Sequence, residues 1–263
     1  MSDTALSGKA AFISGSSRGI GLAIARRLAA NGAEIFLAAS NADRLKAAAA
    51  AIAAETGRRA EWHAGDLRTL EGCEAAHAAA MTAFGGIDIL VNSAGATRGG
   101  RFPDQPDAEM IDGFALKFHG AVRLCRLFWP ALKARHGTVV NIVGGAARTP
   151  NAGFLVGGSV NAALANFTKG LAAQGLQDDV NVNWVHPGLT VTDRMEELLA
   201  RRAELEGKTR DEVEAESIAA EGLRRLGQPE DVAAIVAFLC APEARHIHGT
   251  GIAVDGGGAK GYV

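Results

Sequence analysis

The sequence predicts an α/β fold: a single-domain, doubly wound parallel sheet of about seven strands with helices on both faces. Three observations carry that prediction. Short, nearly continuous apolar runs recur along the chain, as expected of strands buried on both faces. Longer stretches with helical spacing of apolar residues separate them. A glycine-rich segment, Ser14-Gly15-Ser16-Ser17-Arg18-Gly19-Ile20-Gly21, joins the first apolar run to the first helical stretch.

Taken in order, residues 9–14 form the first strand and residues 19–31 the first helix. Residues 34–39 form the second strand, followed by an alanine-rich helix over 41–56 with Asn41 as its cap. The alanine run 47–54 resembles low complexity, but Leu45, Ile52 and the flanking charges make it a surface helix. Residues 61–65 are a third strand, and 70–84 a helix behind a Thr69 cap. Ile87-Asp88-Ile89-Leu90-Val91 is a fourth strand. A long helix over 108–133 is expected to bend or break near Pro130, which lacks an amide hydrogen and crowds the preceding turn. Strand 138–143, helix 160–176 and strand 180–185 follow. Residues 192–226 are charged and helical, with no strand. Helix 230–240 and strand 251–254 complete the sheet, whose crossovers are expected to be right-handed. No linker or internal repeat divides the chain, so residues 1–263 read as one domain.

Composition excludes several function classes. The 263 residues are 48% hydrophobic and 21% charged, ordinary for a globular protein. A net charge of −2 favours neither nucleic acid nor an anionic membrane as partner. No apolar stretch is long enough to span a bilayer, and no signal peptide is visible, so a cytoplasmic location is expected. Cys73, Cys125 and Cys240 are far apart and fit a reducing compartment. His63, His77, His136, His246 and His248 lack metal-ligand spacing, so no metal is expected.

The glycine-rich segment lets backbone approach a pyrophosphate, and the helix it opens adds amides and a positive dipole end. Further motifs follow at strand ends: Asp66-Leu67, Asn92-Ser93-Ala94-Gly95, Pro187-Gly188 with Thr192 shortly after, and Val254-Asp255-Gly256-Gly257. These five motifs, in this order, resemble the short-chain dehydrogenase/reductase family along essentially the whole chain. The resemblance implies a Rossmann-type fold and a nicotinamide cofactor. Gly15, Ser17, Arg18, Gly19, Ile20 and Gly21 then cradle the cofactor phosphates. Asp66, with Leu67, contacts adenine, and Asn92, Ala94 and Gly95 line the cofactor. Pro187 and Gly188 shape the wall beside the nicotinamide, and Thr192 holds its carboxamide. The resemblance also makes residues 192–226 a lid over a small-molecule substrate, and implies a homo-oligomer, a tetramer. Its faces are helices 108–133 and 160–176 and the region of the last strand.

The end of the second strand reads Ala39-Ser40-Asn41, with no carboxylate to repel a 2′-phosphate. Arg18 suits phosphate geometry and Ser40 can donate to it, so NADP(H) is favoured over NAD(H), which stays possible.

The family's catalytic asparagine, serine, tyrosine and lysine map onto Lys117, Gly144, Gly157 and Asn161. Gly144 and Gly157 carry no side chain, so the usual phenol cannot donate a proton here. The only tyrosine is Tyr262, near the end of the chain. Lysine and asparagine stand exchanged, which keeps an ammonium and an amide in one cavity. The reading that follows is an NAD(P)-dependent oxidoreductase acting on a small carbonyl or alcohol. Lys117 is its general acid, with Asn161 and His186 beside it. The alternatives are a catalytically silent nucleotide-binding subunit and a non-redox lyase or isomerase. Phe154, Leu155 and Val156 are expected to make the tyrosine site apolar.

Overall fold

Strand β1 (Ala10–Ser14) is buried along its whole length because it is hydrogen-bonded on both edges and covered on both faces. Around it, in the computed structural model, which describes residues 5–95 and 97–259, chain and sheet follow one pattern. The elements are α1 (Gly19–Ala30), β2 (Glu34–Ala39), α2 (Ala42–Thr56), β3 (Ala60–Ala64), α3 (Leu70–Phe84) and β4 (Ile89–Asn92). Then come α4 (Asp107–Gly113), a π-helical stretch Phe114–Gly120, α5 (Ala121–Ala134), β5 (Thr138–Ile142), α6 (Leu155–Asp178) and β6 (Asn181–Pro187). Helices α7 (Asp193–Glu206), α8 (Arg210–Glu221) and α9 (Pro229–Cys240) precede β7 (Gly251–Val254).

The seven strands are all parallel, in the order β3-β2-β1-β4-β5-β6-β7. The order reverses between β1 and β4, which opens a crevice at their carboxyl ends. Alternation along each strand feeds two cores. Ile13, Ile35, Leu37, Val91 and Val140 face α1, α2 and α9, where they meet Ile24, Leu28, Leu45 and Val236. Phe12, Phe36, Leu90, Val139 and Val182 face α3, α5 and α6, where they meet Cys73, Leu124 and Phe128. Aromatic packing centres on Phe12, whose ring lies 4.7 Å from Phe128 and 5.6 Å from Phe36.

The helix caps form where expected. Asn41 Oδ1 accepts from the Arg44 amide at 2.8 Å, and Thr69 Oγ1 from the Gly72 amide at 2.9 Å. The expected break at Pro130 does not occur: Pro130 lies inside α5, which runs on to Ala134. The helix is instead deformed one element earlier, over Phe114–Gly120. Helix α6 begins at Leu155, earlier than expected, and takes in Gly157 and Gly158. The charged segment after β6 forms two helices with their own small core of Leu199, Ala203, Val213 and Leu226. Arg210 pairs with Glu196 across α7 and α8, and Arg202 with Glu216, which links the two helices. No described helix is long and apolar enough to cross a membrane. Tyr262 lies outside the described residues.

Candidate active site

The glycine segment is drawn tightly against the ends of three strands. Gly15 has φ +69°, and a Cβ there would sit 2.7 Å from the Ala94 backbone. A Cβ on Gly21 would lie 2.4 Å from the Gly15 carbonyl oxygen. Only glycine permits both contacts. Hydroxyls pin the loop. Ser16 Oγ donates to Ile13 O at 2.8 Å and accepts from the Ala38 amide at 3.0 Å. Ser14 Oγ accepts from the Ser93 and Ala94 amides at 3.1 and 3.2 Å, tying β1 to the loop after β4.

Helix α1 starts behind Arg18, which makes no side-chain cap, and its first turn carries no acid. The first-turn amides and the dipole are therefore directed at the crevice, an arrangement that suits the pyrophosphate of a dinucleotide. The cleft above them has a volume of about 540 Å³. Gly15, Ser17, Arg18, Gly19, Ile20 and Gly21 form one wall. Ser40, Asp66 and Leu67 line one end, Ala94, Gly95 and Lys117 the floor, and Pro187, Gly188 and Thr192 the other end.

At the first end, β2 finishes in Ala39 and exposed Ser40, with no acid. Arg18 lies 3.4 Å from Asp193 and 3.8 Å from Glu197, and Arg44 lies 3.9 Å from Asp193. Two guanidinium groups thus flank the rim, held by exposed ion pairs worth about 0–1 kcal/mol each. Arg44 was not anticipated; its position in the first turn of α2, just beyond Ser40, is the signal that points to it. Asp66 Oδ1 accepts from the Arg68 amide at 3.0 Å, and this bond, with the guanidinium of Arg68, lowers the pKa of its carboxyl. Thr192 caps α7, its Oγ1 accepting from the Met195 amide at 3.3 Å.

Lys117 occupies the floor at the middle of the π-helical stretch, a helix form often found at functional sites. Its stem lies in the groove left by Gly95, where a Cβ would be 2.8 Å from Lys117 Cδ and 2.9 Å from Cγ. Its ammonium has no hydrogen-bond or ion-pair partner among the described residues. Burial, followed by the nearby charge of Arg194, lowers its pKa to about 8. Arg194, also unanticipated, lines the same cleft and donates from Nη2 to the Thr97 carbonyl. The two residues ahead of it, Thr192 and Asp193, give the only sequence cue to it.

A second cavity of about 440 Å³ adjoins the cleft and shares Gly144, Pro187 and Gly188 with it. Thr149, Asn151, Phe154, Leu189 and Leu223 form much of its lining. The Phe154 ring sits over Gly157, so a Cβ there would fall 2.1 Å from Phe154 Cε1 and Cζ. The space beside Gly157 is therefore filled by Phe154 rather than left open.

Three expected site residues are placed differently. Asn92 points into the core, not the cleft, and its Nδ2 donates to Asn141 Oδ1 at 2.8 Å. Strand alternation puts its side chain on the same face as Leu90, towards Cys125 of α5, while Val91 packs in the opposite core. Asn161 borders the second cavity, but its amide is used within the fold. Its Oδ1 accepts from the Gly144 amide at 2.6 Å and its Nδ2 donates to Gly157 O at 2.7 Å. It braces the turn after β5 against α6. His186 is buried, with Nδ1 3.0 Å from Val143 O and Nε2 accepting from Trp184 Nε1 at 2.8 Å. These bonds define the neutral tautomer with hydrogen on Nδ1, and burial lowers the pKa further. Neither ring nitrogen is available to substrate.

The family described as enoyl-(acyl carrier protein) reductase matches residues 15–259 of this chain. A short-chain reductase protein, NovJ of Streptomyces niveus, is 34% identical over 94% of this chain and 92% of its own. The 3-oxoacyl-[acyl-carrier-protein] reductase FabG of Vibrio cholerae is 33% identical over 96% and 98%. The crystal structure of L-sorbose reductase from Gluconobacter frateurii, complexed with NADPH and L-sorbose, superposes with a TM-score of 0.94 at 34% identity, covering 99% of this chain and 100% of that one. With the sheet order, the glycine loop and the cleft at the topological switch point all in agreement, the chain belongs to the short-chain dehydrogenase/reductase family of oxidoreductases.

Proposed function

We propose that this protein is an NADP(H)-dependent oxidoreductase that interconverts a small carbonyl compound and its alcohol, with Lys117 as the general acid and base. The observation that carries this reading is Lys117, its stem lying along Gly95 in the cleft and its pKa drawn down to about 8 by burial. In this reading the open amides of α1 and the Gly15–Gly21 loop hold the pyrophosphate. Arg18, Arg44 and Ser40 hold the 2′-phosphate, and Thr192 the carboxamide. The NADPH in the L-sorbose reductase structure supports that cofactor. A bound nicotinamide supplies or accepts the hydride.

Lys117 holds a proton at Nζ and delivers it to the carbonyl oxygen as negative charge develops there. In the reverse direction the neutral amine takes it from the alcohol. A pKa near the working pH lets one group serve both directions. Arg194 contributes by electrostatics, since a second cation stabilises the developing alkoxide and eases loss of the lysine proton. Phe154 supplies an apolar wall to the second cavity, which would receive the substrate. The test is Lys117→Met. Turnover with a ketone and aldehyde panel should fall by about 10²–10⁴-fold with NADPH affinity retained. Unchanged turnover in a folded variant removes Lys117 from the mechanism.

A second reading, a silent nucleotide-binding subunit, is favoured by one observation. Asn161 and His186 are committed to the fold, so Lys117 alone is left to carry the proposed proton transfer. Tight NADPH binding with no conversion of diverse ketones, aldehydes and alcohols would establish it. Conversion without cofactor oxidation would instead mark a lyase or isomerase. We also propose a cytoplasmic homotetramer. Exposed Leu155 and Leu176 on α6 support an interface there, and a monomer by light scattering at micromolar concentration would refute it.

A further inference from the structure

Lys117 and Arg194 are two half-buried cations in one cleft, and neither has a carboxylate within ion-pair distance among the described residues. Cations taken partly out of water normally acquire an anion or lose their charge. Asp66 and Asp193, which also line the cleft, pair with Arg68 and with Arg18 and Arg44 respectively. The inner cations are therefore left for a ligand.

The segment after β4 shows which part of the ligand they meet. Ala94 packs on Gly15 of the glycine loop, and Gly95 on the stem of Lys117. Thr97 gives its carbonyl to Arg194, and Gly100 donates its amide to Gly153 O at 2.9 Å, at the edge of the second cavity. Along this segment the order is phosphate loop, Lys117, Arg194, second cavity. Arg194 thus stands between the proposed proton donor and the substrate side. It is fixed by one bond from Nη2 to a neutral carbonyl, and its remaining N–H groups have no protein partner among the described residues.

We propose that the substrate bears a carboxylate next to its reacting carbonyl, an oxo acid or the matching hydroxy acid, and that Arg194 binds this carboxylate while Lys117 meets the carbonyl oxygen. A guanidinium offers planar paired donors to a carboxylate, and with Nη2 on Thr97 it is already oriented for that role. Because Arg194 lies in the first turn of α7, carboxylate binding also holds the base of the lid against the Thr97 loop. This inference rests on the reductase reading above, and equilibrium binding tests it separately from turnover.

The probes are benzoylformate and its uncharged amide, added to the protein saturated with NADP⁺, a pairing in which no reduction can occur. Wild type should bind benzoylformate at least tenfold more tightly than the amide, a difference of about 1.4 kcal/mol. Arg194→Gln should abolish that preference while leaving the dissociation constant of NADP⁺ within about twofold, and Arg194→Lys should restore part of it. Equal binding of the two probes, or no benzoylformate binding at millimolar concentration, overturns the proposal. So does an Arg194→Gln variant that loses NADP⁺ affinity as steeply as benzoylformate affinity, because Arg194 would then be a cofactor phosphate ligand. If the preference is present but Lys117→Met leaves turnover intact, the carboxylate site stands and the assignment of the proton donor falls.

Discussion

The two halves of the cleft are built differently. At the glycine-loop half, proposed to hold the phosphates, the design lies in what is missing from the side chains: Gly15 and Gly21 leave backbone in contact with backbone, and no side chain caps the first turn of α1. At the chemical half, glycines also stand at decisive positions, yet neighbouring side chains have taken up the space. Phe154 covers Gly157, Asn161 bonds across Gly144, and Lys117 lies along Gly95. A glycine in the first half is therefore a place for another stretch of backbone, and a glycine in the second is a place for another side chain. The same residue type carries opposite meanings because the first set is fixed by backbone strain and close approach, and the second by packing.

The comparison is tested most severely at Lys117. With its pKa near 8, the ammonium is protonated below that pH and neutral above it. Carbonyl reduction, which needs the proton, should be flat at lower pH and fall about tenfold per pH unit above 8; alcohol oxidation should rise through the same range. Lys117→Met should remove both inflections along with most of the rate. A profile with no inflection between pH 7 and 9 in wild type would mean that the chemical half works through a different group.

Gly157→Tyr comes next. If the space were vacant, a tyrosine would fit there without cost. Because the Phe154 ring fills it, the substitution should destabilise the protein by about 1–3 kcal/mol in urea unfolding, with no gain in turnover. Adding Phe154→Ala should recover much of the stability. An unchanged unfolding midpoint for Gly157→Tyr alone would show that the ring swings away freely.

The smallest effect concerns the phosphate half. Arg18→Gln should weaken NADPH binding about tenfold by fluorescence titration, while NADH binding stays within twofold, since only NADPH carries the 2′-phosphate. Equal losses for both would place Arg18 at the pyrophosphate instead.

Most of the architecture was legible before any coordinates. Continuous apolar runs mark strands buried on both faces, and Asn41 and Thr69 cap helices where hydrogen-bonding side chains precede periodic segments. The glycine loop was readable because close approach and positive φ leave few alternatives. Three features were not. Pro130 suggested a break, but the distortion lies over Phe114–Gly120, because a helix tolerates proline where neighbouring packing holds it. Asn92 sits in a strand-end motif, and only the strand's alternation turns its amide into the core. His186 lies beside the motif at the nicotinamide end, yet Trp184 two residues earlier shares its face and satisfies its ring.

The sequence by itself therefore determined the sheet, the switch-point cleft and the glycine loop that lines it, because local periodicity and backbone constraint act over a few residues. It also singled out Lys117, which the structure places in that cleft. Only the tertiary structure decided that Asn161 and His186 are occupied, that Phe154 fills the space beside Gly157, and that Arg194 lines the same cleft as Lys117. Those outcomes depend on contacts across the fold, such as Gly144 with Asn161, 17 positions apart, and Thr97 with Arg194, 97 apart, or on which face of a strand a side chain takes. Partners for a buried donor, acceptor or charge are chosen in space and not along the chain.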